Sequence, residues 1–346
     1  MASDSKPHVV ETGTVPAAAA TKPSFGSRVA AHFKRWWWVH LIILIVVVLV
    51  VVLPVVYVGY PNIAQHDINK STLNITSMAI SDPTPNSFHL QETQVIGSSS
   101  AFKPNIYSFG AAISLLGGAP FITVQIPKFK AHDGVQVDVD QDVNITDVAA
   151  FTEFSKAVML NEEIQMSVYG KADLKEGSLP KTKITYNKTT TIKGTASTHQ
   201  TQRIGSQSAG LNKLKGFELV DLTISTSTKS GNNGKGTVYI PNPSPFTLTL
   251  GNVTLDLSVN GTAIGQSYLT DLTIRPGNNT LPMTANVSTL TVAGMLGSYP
   301  TLMLPVDIIG NSSVYNGEEL TYFADALAAN TLSVELNVTK ALGGIL

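Results

Sequence analysis

The chain has 346 residues, a formal net charge of −1 and no cysteine. Near-neutrality excludes a nucleic-acid surface, which would be strongly basic, and the missing thiols exclude cysteine catalysis, disulfide staples and most structural zinc sites. Five Lys/Arg and two Asp/Glu precede residue 36, which leaves 18 minus 22, or −4, for the rest.

Residues 1–35 hold Pro7, Pro16, Pro23 and an Ala17–Ala20 run, with almost no large apolar side chain before Phe25. Such a composition cannot bury a core, so a disordered cytoplasmic tail is expected. The next segment, Val39 to Val58, is an unbroken apolar run in which His40 is the only strongly polar side chain. A helix rises about 1.5 Å per residue, so about 20 residues cross a bilayer. A transmembrane helix over 36–60 is expected, with Trp36, Trp37 and Trp38 at one interface and Tyr57 and Tyr60 at the other. Pro54 falls in its last turns, where a kink costs least. Arg28, Lys34 and Arg35 precede the run, and only Lys70 follows at similar distance. Positive residues stay cytoplasmic, so the C-terminal bulk should be lumenal or extracellular. A cleaved signal peptide would have an apolar region of about 7–15 residues and a small-residue cleavage site. This run is longer and VGYPNIAQH after it offers no such site, so a retained signal anchor is expected, followed by a stalk at 61–77.

Residues 104–127 are uncharged, but their glycines and prolines make a poor spanning helix, and buried strands are the better reading. Beyond them the chain alternates with period two. Val135, Val137 and Val139 are separated by Gln136, Asp138 and Asp140. Phe246, Leu248 and Leu250 continue as Val253, Leu255, Leu257 and Val259 after a slip at Gly251–Asn252, the mark of a β-bulge. Asn260–Gly261 is the strongest short hairpin signal in the chain, and Leu332, Val334, Leu336 and Val338 make a last strand. Helical spacing is confined to Asp147 to Leu160 and Glu318 to Ala329. The fold class is therefore mainly β, with two tandem β-sandwich domains and few short helices behind the transmembrane helix. A weak internal repeat supports two units: Phe88-His-Leu-Gln-Glu-Thr-Gln-Val matches Phe217-Glu-Leu-Val-Asp-Leu-Thr-Ile, and segments ending at Gly170 and Gly310 follow. The domains are expected at 78–200 and 211–346, with the polar stretch Lys193 to Gly210 as their boundary.

Chemistry-bearing patterns are sparse. His66, His89, His132 and His199 form no pair with metal-ligand spacing, and no G-x-S-x-G elbow occurs. His132–Asp133–Gly134 reads as a turn. Gly231-Asn-Asn-Gly-Lys-Gly236 lacks the Ser or Thr a phosphate loop needs after its lysine, and reads as a loop before a strand. Asp138, Asp140, Asp142 and Asn144 recur like the start of a calcium loop, but Val143 and Ala149 stand where Gly and Glu are required; on a strand the acids line the solvent face. No catalytic, cofactor or metal residue is assigned. The helical stripe Val148, Phe151, Phe154 and Val158 either lines a lipid groove or, the usual use of such a stripe, seals a sandwich core. Ten N-x-S/T sequons follow the apolar run: Asn69, Asn74, Asn144, Asn187, Asn252, Asn260, Asn278, Asn286, Asn311 and Asn337. They agree with a glycosylated lumenal face.

One span followed by two such units is similar to a fungal family of single-pass membrane proteins without assigned activity. The second unit, GKGTVYIPNPSPFTLTLGNVTLDLSVNGTAIG, resembles the late-embryogenesis-abundant, water-stress-type β-sandwich. Its strand, Asn-Pro turn and long alternating strand stand here as Thr237–Ile240, Asn242-Pro243-Ser244-Pro245 and Phe246–Val259. The first unit lacks that turn. The resemblance implies a vacuolar membrane, with the plasma membrane as alternative, and lipid binding for some related domains. The expected function is a non-catalytic, membrane-integral binding module whose partner is a protein or a lipid. A lipid-binding or lipid-transfer domain predicts an apolar cavity open to solvent, and a protein-binding one a filled core with an exposed patch. A carbohydrate-active enzyme would need two inward carboxylates about 5–10 Å apart in a cleft.

Overall fold

The computed structural model describes residues 25–192, 211–225 and 231–342. The chain divides into two units, one ending at Gly59 and one starting at Tyr60. The described residues of the first unit are helical. Helix α1 (Phe25–Val47) is followed by π-helical turns at Val48–Val52 and Val55–Gly59. These wider turns bracket Leu53–Pro54, because proline lacks an N–H and its ring collides with the preceding turn. The apolar stretch is long enough to cross a membrane and nowhere buried against protein. Residues 25–35, expected within the tail, belong to α1; residues 1–24 lie outside the described residues.

The second unit opens with helix α2 (Tyr60–Lys70), which buries Ala64 and Ile68. Ten elements follow: β1 (Thr72–Thr84), β2 (Ser87–Gly97), β3 (Asn105–Ile106), β4 (Phe109–Leu115), β5 (Pro120–Ile126), β6 (Phe129–Lys130), β7 (Val135–Asn144), α3 (Val148–Leu160), β8 (Ile164–Lys175) and β9 (Thr182–Ile192). The later half contains β10 (Glu218–Ile224), β11 (Gly234–Asn242), β12 (Phe246–Val259), β13 (Thr262–Ile274), β14 (Gly277–Val287), α4 (Thr289–Met295), β15 (Met303–Tyr315), β16 (Glu318–Glu319), α5 (Thr321–Ala328), β17 (Thr331–Asn337) and α6 (Val338–Ala341). The fold is mainly β, with two large sheets and few short helices. The expected stalk at 61–77 is occupied by α2 and the start of β1.

The two halves repeat the same antiparallel pairings. In the first, β1 pairs β2, β2 pairs β7, β4 pairs β5 and β8, and β8 pairs β9. In the second, β10 pairs β11, β11 pairs β14, β12 pairs β13 and β15, and β15 pairs β17. A short helix follows β7 and β14 alike. Its first turn is capped by Asp147, which accepts from the Ala150 N–H, or by Ser288, which accepts from the Thr291 N–H. Gly170 and Gly310 fall on the corresponding strands β8 and β15. Phe88 lies on β2 whereas Phe217 adjoins β10, the counterpart of β1, so that part of the sequence match is displaced by one strand. Alternation has the same period in every strand and does not tell neighbours apart.

The larger sheet crosses from one half to the other. Met78, Ala79 and Ile80 of β1 lie parallel to Phe246, Thr247 and Leu248 of β12. Further along, β12 exchanges β1 for β15, which it pairs from Asn252 to Ser258. The ladder with β13 shifts register on both sides of Gly251. Gly251 has φ +71°, and a Cβ there would collide with the Val314 carbonyl oxygen. Only glycine tolerates both conditions. The turn entering β12 is set by Asn242, a buried side chain whose Oδ1 accepts from the Ser244 N–H at 2.9 Å and whose Nδ2 donates to the Phe246 carbonyl at 2.7 Å. The segment expected to separate two domains, 193–210, lies outside the described residues.

Helix α2 covers the free edge of β9. Gln65 Nε2 donates to the Thr185 carbonyl at 2.8 Å and its Oε1 accepts from the Thr185 N–H at 2.7 Å, replacing a missing strand neighbour. Lys188 Nζ donates to the carbonyls of Ile68, Asn69 and Ser71 at the end of α2, where a cation complements the helix dipole.

The register of β12 makes two predictions. Leu255→Asp, which buries an unpaired carboxylate, should cost several kcal/mol and unfold the second half, while Thr254→Asp on the other face stays mild. Equal melting temperatures for the two variants would contradict the register. Gly251→Val should lower the melting temperature more than Gly261→Val, because the Gly261 Cβ position meets nothing within 4 Å although both have positive φ.

Candidate functional site

The α3 stripe lies in the core. Phe151, Phe154 and Val158 are at most 2% exposed, and Val148 is half-buried. Phe151 stacks on Phe88 at 5.2 Å and meets Tyr322 of α5 edge-on at 4.9 Å. Phe154 stacks on Phe121 at 4.9 Å and faces Phe246 of β12 at 6.3 Å. Tyr322 donates from its OH to the Thr84 carbonyl at 2.8 Å, and burial raises its phenol above the ordinary value. The void beside these rings measures about 10 Å³. The stripe therefore joins the halves and lines no groove open to solvent. In the second half, two voids beside Leu255, Leu269 and Ile308 measure about 30 Å³ each. Each is well below the about 150 Å³ of an apolar cavity that admits a benzene ring, and so far short of an acyl chain.

The acids of β7 are arranged as expected: Asp138, Asp140 and Asp142 are exposed, and Val137, Val139 and Val143 are buried. Across the ladder on β2, His89 sits between two of them. Its Nδ1 lies 2.7 Å from Asp142 Oδ1 and its Nε2 3.0 Å from Asp140 Oδ1. The Asp142 hydrogen bond holds this imidazole above its ordinary pKa. Among the described residues no group of three or more His, Asp and Glu could hold a metal ion. His66 and His132 are exposed, His199 lies outside the described residues, and 231–233 is the loop before β11.

Glu92 of β2 is 5% exposed and the only buried Asp or Glu among the described residues. It faces inward beside Ile75, Met78 and Phe88, with no partner for Oε1. Burial pushes its carboxyl up to about 7, against a smaller lowering by Gln94. The same burial, with the nearby Glu92 charge, raises the Tyr186 phenol. Sequence alternation contained the signal: Glu92 follows Phe88 and Leu90 on the inward parity. A lone inward carboxylate can exchange a proton, but it has no second acid with which to divide acid and base roles.

All ten sequon asparagines are exposed. Asn242, Asn279 and Asn330, the buried asparagines among the described residues, lie outside sequons. Asn337 caps α6 and Asn252 accepts from the Asp271 N–H, so these two side chains also hold backbone.

Glu92 predicts a pH dependence. Its folded pKa lies above the unfolded value of 4.5, so its contribution is most favourable below about pH 4.5 and is lost as pH rises through about 7. The displacement corresponds to about 3 kcal/mol. Glu92→Gln should melt higher than the parent at about pH 8 and close to it at about pH 4.5. A difference independent of pH would show that Glu92 does not titrate in this window.

Residues 119–257 match a family model described as "Protein of unknown function (DUF3712)". The match begins at β5 and ends within β12, so it spans the junction of the halves. No curated protein matches significantly. Among solved structures, the periplasmic chaperone SfaE aligns at 11% identity over 76% of this chain and 98% of its own, with a TM-score of 0.17. A cross-linked bacterial adhesin from Mobiluncus mulieris aligns at 9% identity over 70% and 81%, with a TM-score of 0.19. DesR, a beta-glucosidase from Streptomyces venezuelae, aligns at 9% over 76% and 48%, with a TM-score of 0.15. Scores this low establish no common fold. The similarity on record is thus to the DUF3712 family over 139 residues (119 to 257), whose description assigns no activity.

Proposed function

We propose that this protein is a non-catalytic, single-pass membrane protein that presents a rigid tandem β-sandwich module in a lumen or outside the cell. The observation that carries the reading is the pairing of an apolar helix, not buried against protein, with a separate β unit whose candidate groove-lining stripe on α3 is packed into the core. A packed α3 stripe fits surface recognition of a protein or membrane better than carriage of a lipid. Among the described residues Glu92 is the one buried carboxylate, which lends no support to a paired acid and base for glycoside hydrolysis. The charge bias around the span supports a cytoplasmic N-terminus. Surface placement of every sequon supports glycosylation of the far side. The resemblance to fungal single-pass proteins favours the vacuolar membrane.

Translation in microsomes tests orientation. The chain should gain mass that endoglycosidase removes, and Asn252→Gln with Asn260→Gln should reduce the gain. Protease added to sealed microsomes should spare everything after residue 60. Digestion of that region, or no glycan at any sequon, would reverse the topology.

A further inference from the structure

We propose that the outer face of the smaller sheet is a lipid-docking surface that seats the β unit on anionic headgroups of the bilayer holding its own span. The proposal rests on reading 39–58 as a retained anchor and on anionic lipid in the leaflet that faces the β unit, the one opposite the cytoplasm. Strand register brings together lysines distant in sequence. Lys130 and Lys175 flank Asn105 from opposite sides. Lys183 stands opposite Asp173, and Lys181 closes the β8–β9 hairpin. Their neighbours Phe129, Ile106, Leu174 and Ile184 are buried, so the lysines share the outward parity. Tyr107 gathers two of the cations over one ring, Lys181 Nζ at 3.8 Å from the centroid and Lys128 Nζ at 5.0 Å. Salt bridges among the described residues use His89 and Lys156 only, so none of these five lysines is paired. Asp173 and Glu176 are the acids alongside, leaving an excess of three positive charges (five minus two) on a unit of net charge −4.

The chain path turns the patch into an orientation. Helix α2 runs beside β9 in the same direction: Tyr60 OH accepts from the Glu176 N–H at the hairpin, Gln65 meets Thr185, and Ile68 meets Lys188. The unit is therefore entered at the lysine end, directly after Gly59. Lysine stems let ammonium groups reach a surface several ångströms away, and attraction to anionic lipid acts within a Debye length of about 8 Å. On the strands of the smaller sheet only Asn187 is a sequon, four residues past Lys183, so glycans leave the patch largely open.

Full-length protein in nanodiscs of phosphatidylcholine, with and without phosphatidylserine, tests the proposal by lysine acylation read by peptide mass spectrometry. Lys128, Lys130, Lys181 and Lys183 should react about fivefold more slowly in the anionic discs, and the difference should vanish near 1 M salt. Lys235 and Lys340 should react equally in both discs. Lys128→Gln with Lys130→Gln should abolish the protection of Lys181 and Lys183 without altering the melt. Equal rates in both discs overturn the docking face. Protection that is the same without anionic lipid and insensitive to salt also overturns it, and points to a covering protein. Failure of the anchor reading is read separately, as release of the chain from microsomes by alkaline carbonate.

Discussion

One strand holds the β unit together. In β12 the first residues pair with β1 of the earlier half and the remainder with β15 of its own. A strand can change neighbours only if its ladder is interrupted, and the left-handed residue at Gly251 supplies the interruption. Without the parallel contact of Met78–Ile80 with Phe246–Leu248 the large sheet would divide between the halves, which would then meet through side chains and isolated backbone bonds such as that from the Leu211 N–H to the Val158 carbonyl. Asn242 fixes the entry to the same strand, so the Asn-Pro turn and the glycine bulge act on one object from its two ends. Both were visible in the sequence as local features. Their common purpose was not.

The second bond between the halves is aromatic. Phe151 and Phe154 of α3 reach Tyr322 and Phe246, which come from elements about a hundred or more residues later. A helix used in this way cannot also line an open groove, since its apolar face is already in contact. The stripe at Val148, Phe151, Phe154 and Val158 was legible as a helix and as apolar, but periodicity is blind to what an apolar face touches. The answer lay in the docking of α5 on the same helix. Tyr322 OH adds a bond to the Thr84 carbonyl, so a hydrogen bond as well as ring packing joins the later half to the earlier one.

Local structure was the legible part. Alternation located β7, β12 and β17, although Val338, expected on the last strand, begins α6, and Asn260–Gly261 forms the expected turn with φ of 47° and 77°, as a two-residue hairpin requires. Asp147 starts α3 as a side-chain cap. The acidic row of β7 faces solvent. What remained hidden was everything that depends on partners: the pairing of β1 with β12, the one-strand displacement of the repeat, and the use of 61–77 as helix and strand. A period of two reports which face a residue occupies, never which strand lies beside it. Glu92 was hidden differently. Its parity pointed inward, but an acid on an inward position reads as an exception until burial is seen.

Charge adds an asymmetry that composition conceals. A net charge of −4 on the β unit suggests a mildly acidic surface throughout, yet the charges are unevenly spread. Asp138, Asp140 and Asp142 lie on β7, at the end of the larger sheet. Lys130, Lys175 and Lys183 share the outer face of the smaller sheet, because the two-residue strand β3 inserts between β6 and β8 and draws their lysines abreast. The lysines come from separate segments, 128–130 and 175–183, so no charge run marks them in the sequence. The acidic row and the lysines both sit beside buried inward side chains, and an uneven charge distribution of this kind gives a body a preferred attitude toward a charged surface. On the proposed reading, orientation needs no specific ligand pocket, only a tether and an uneven surface.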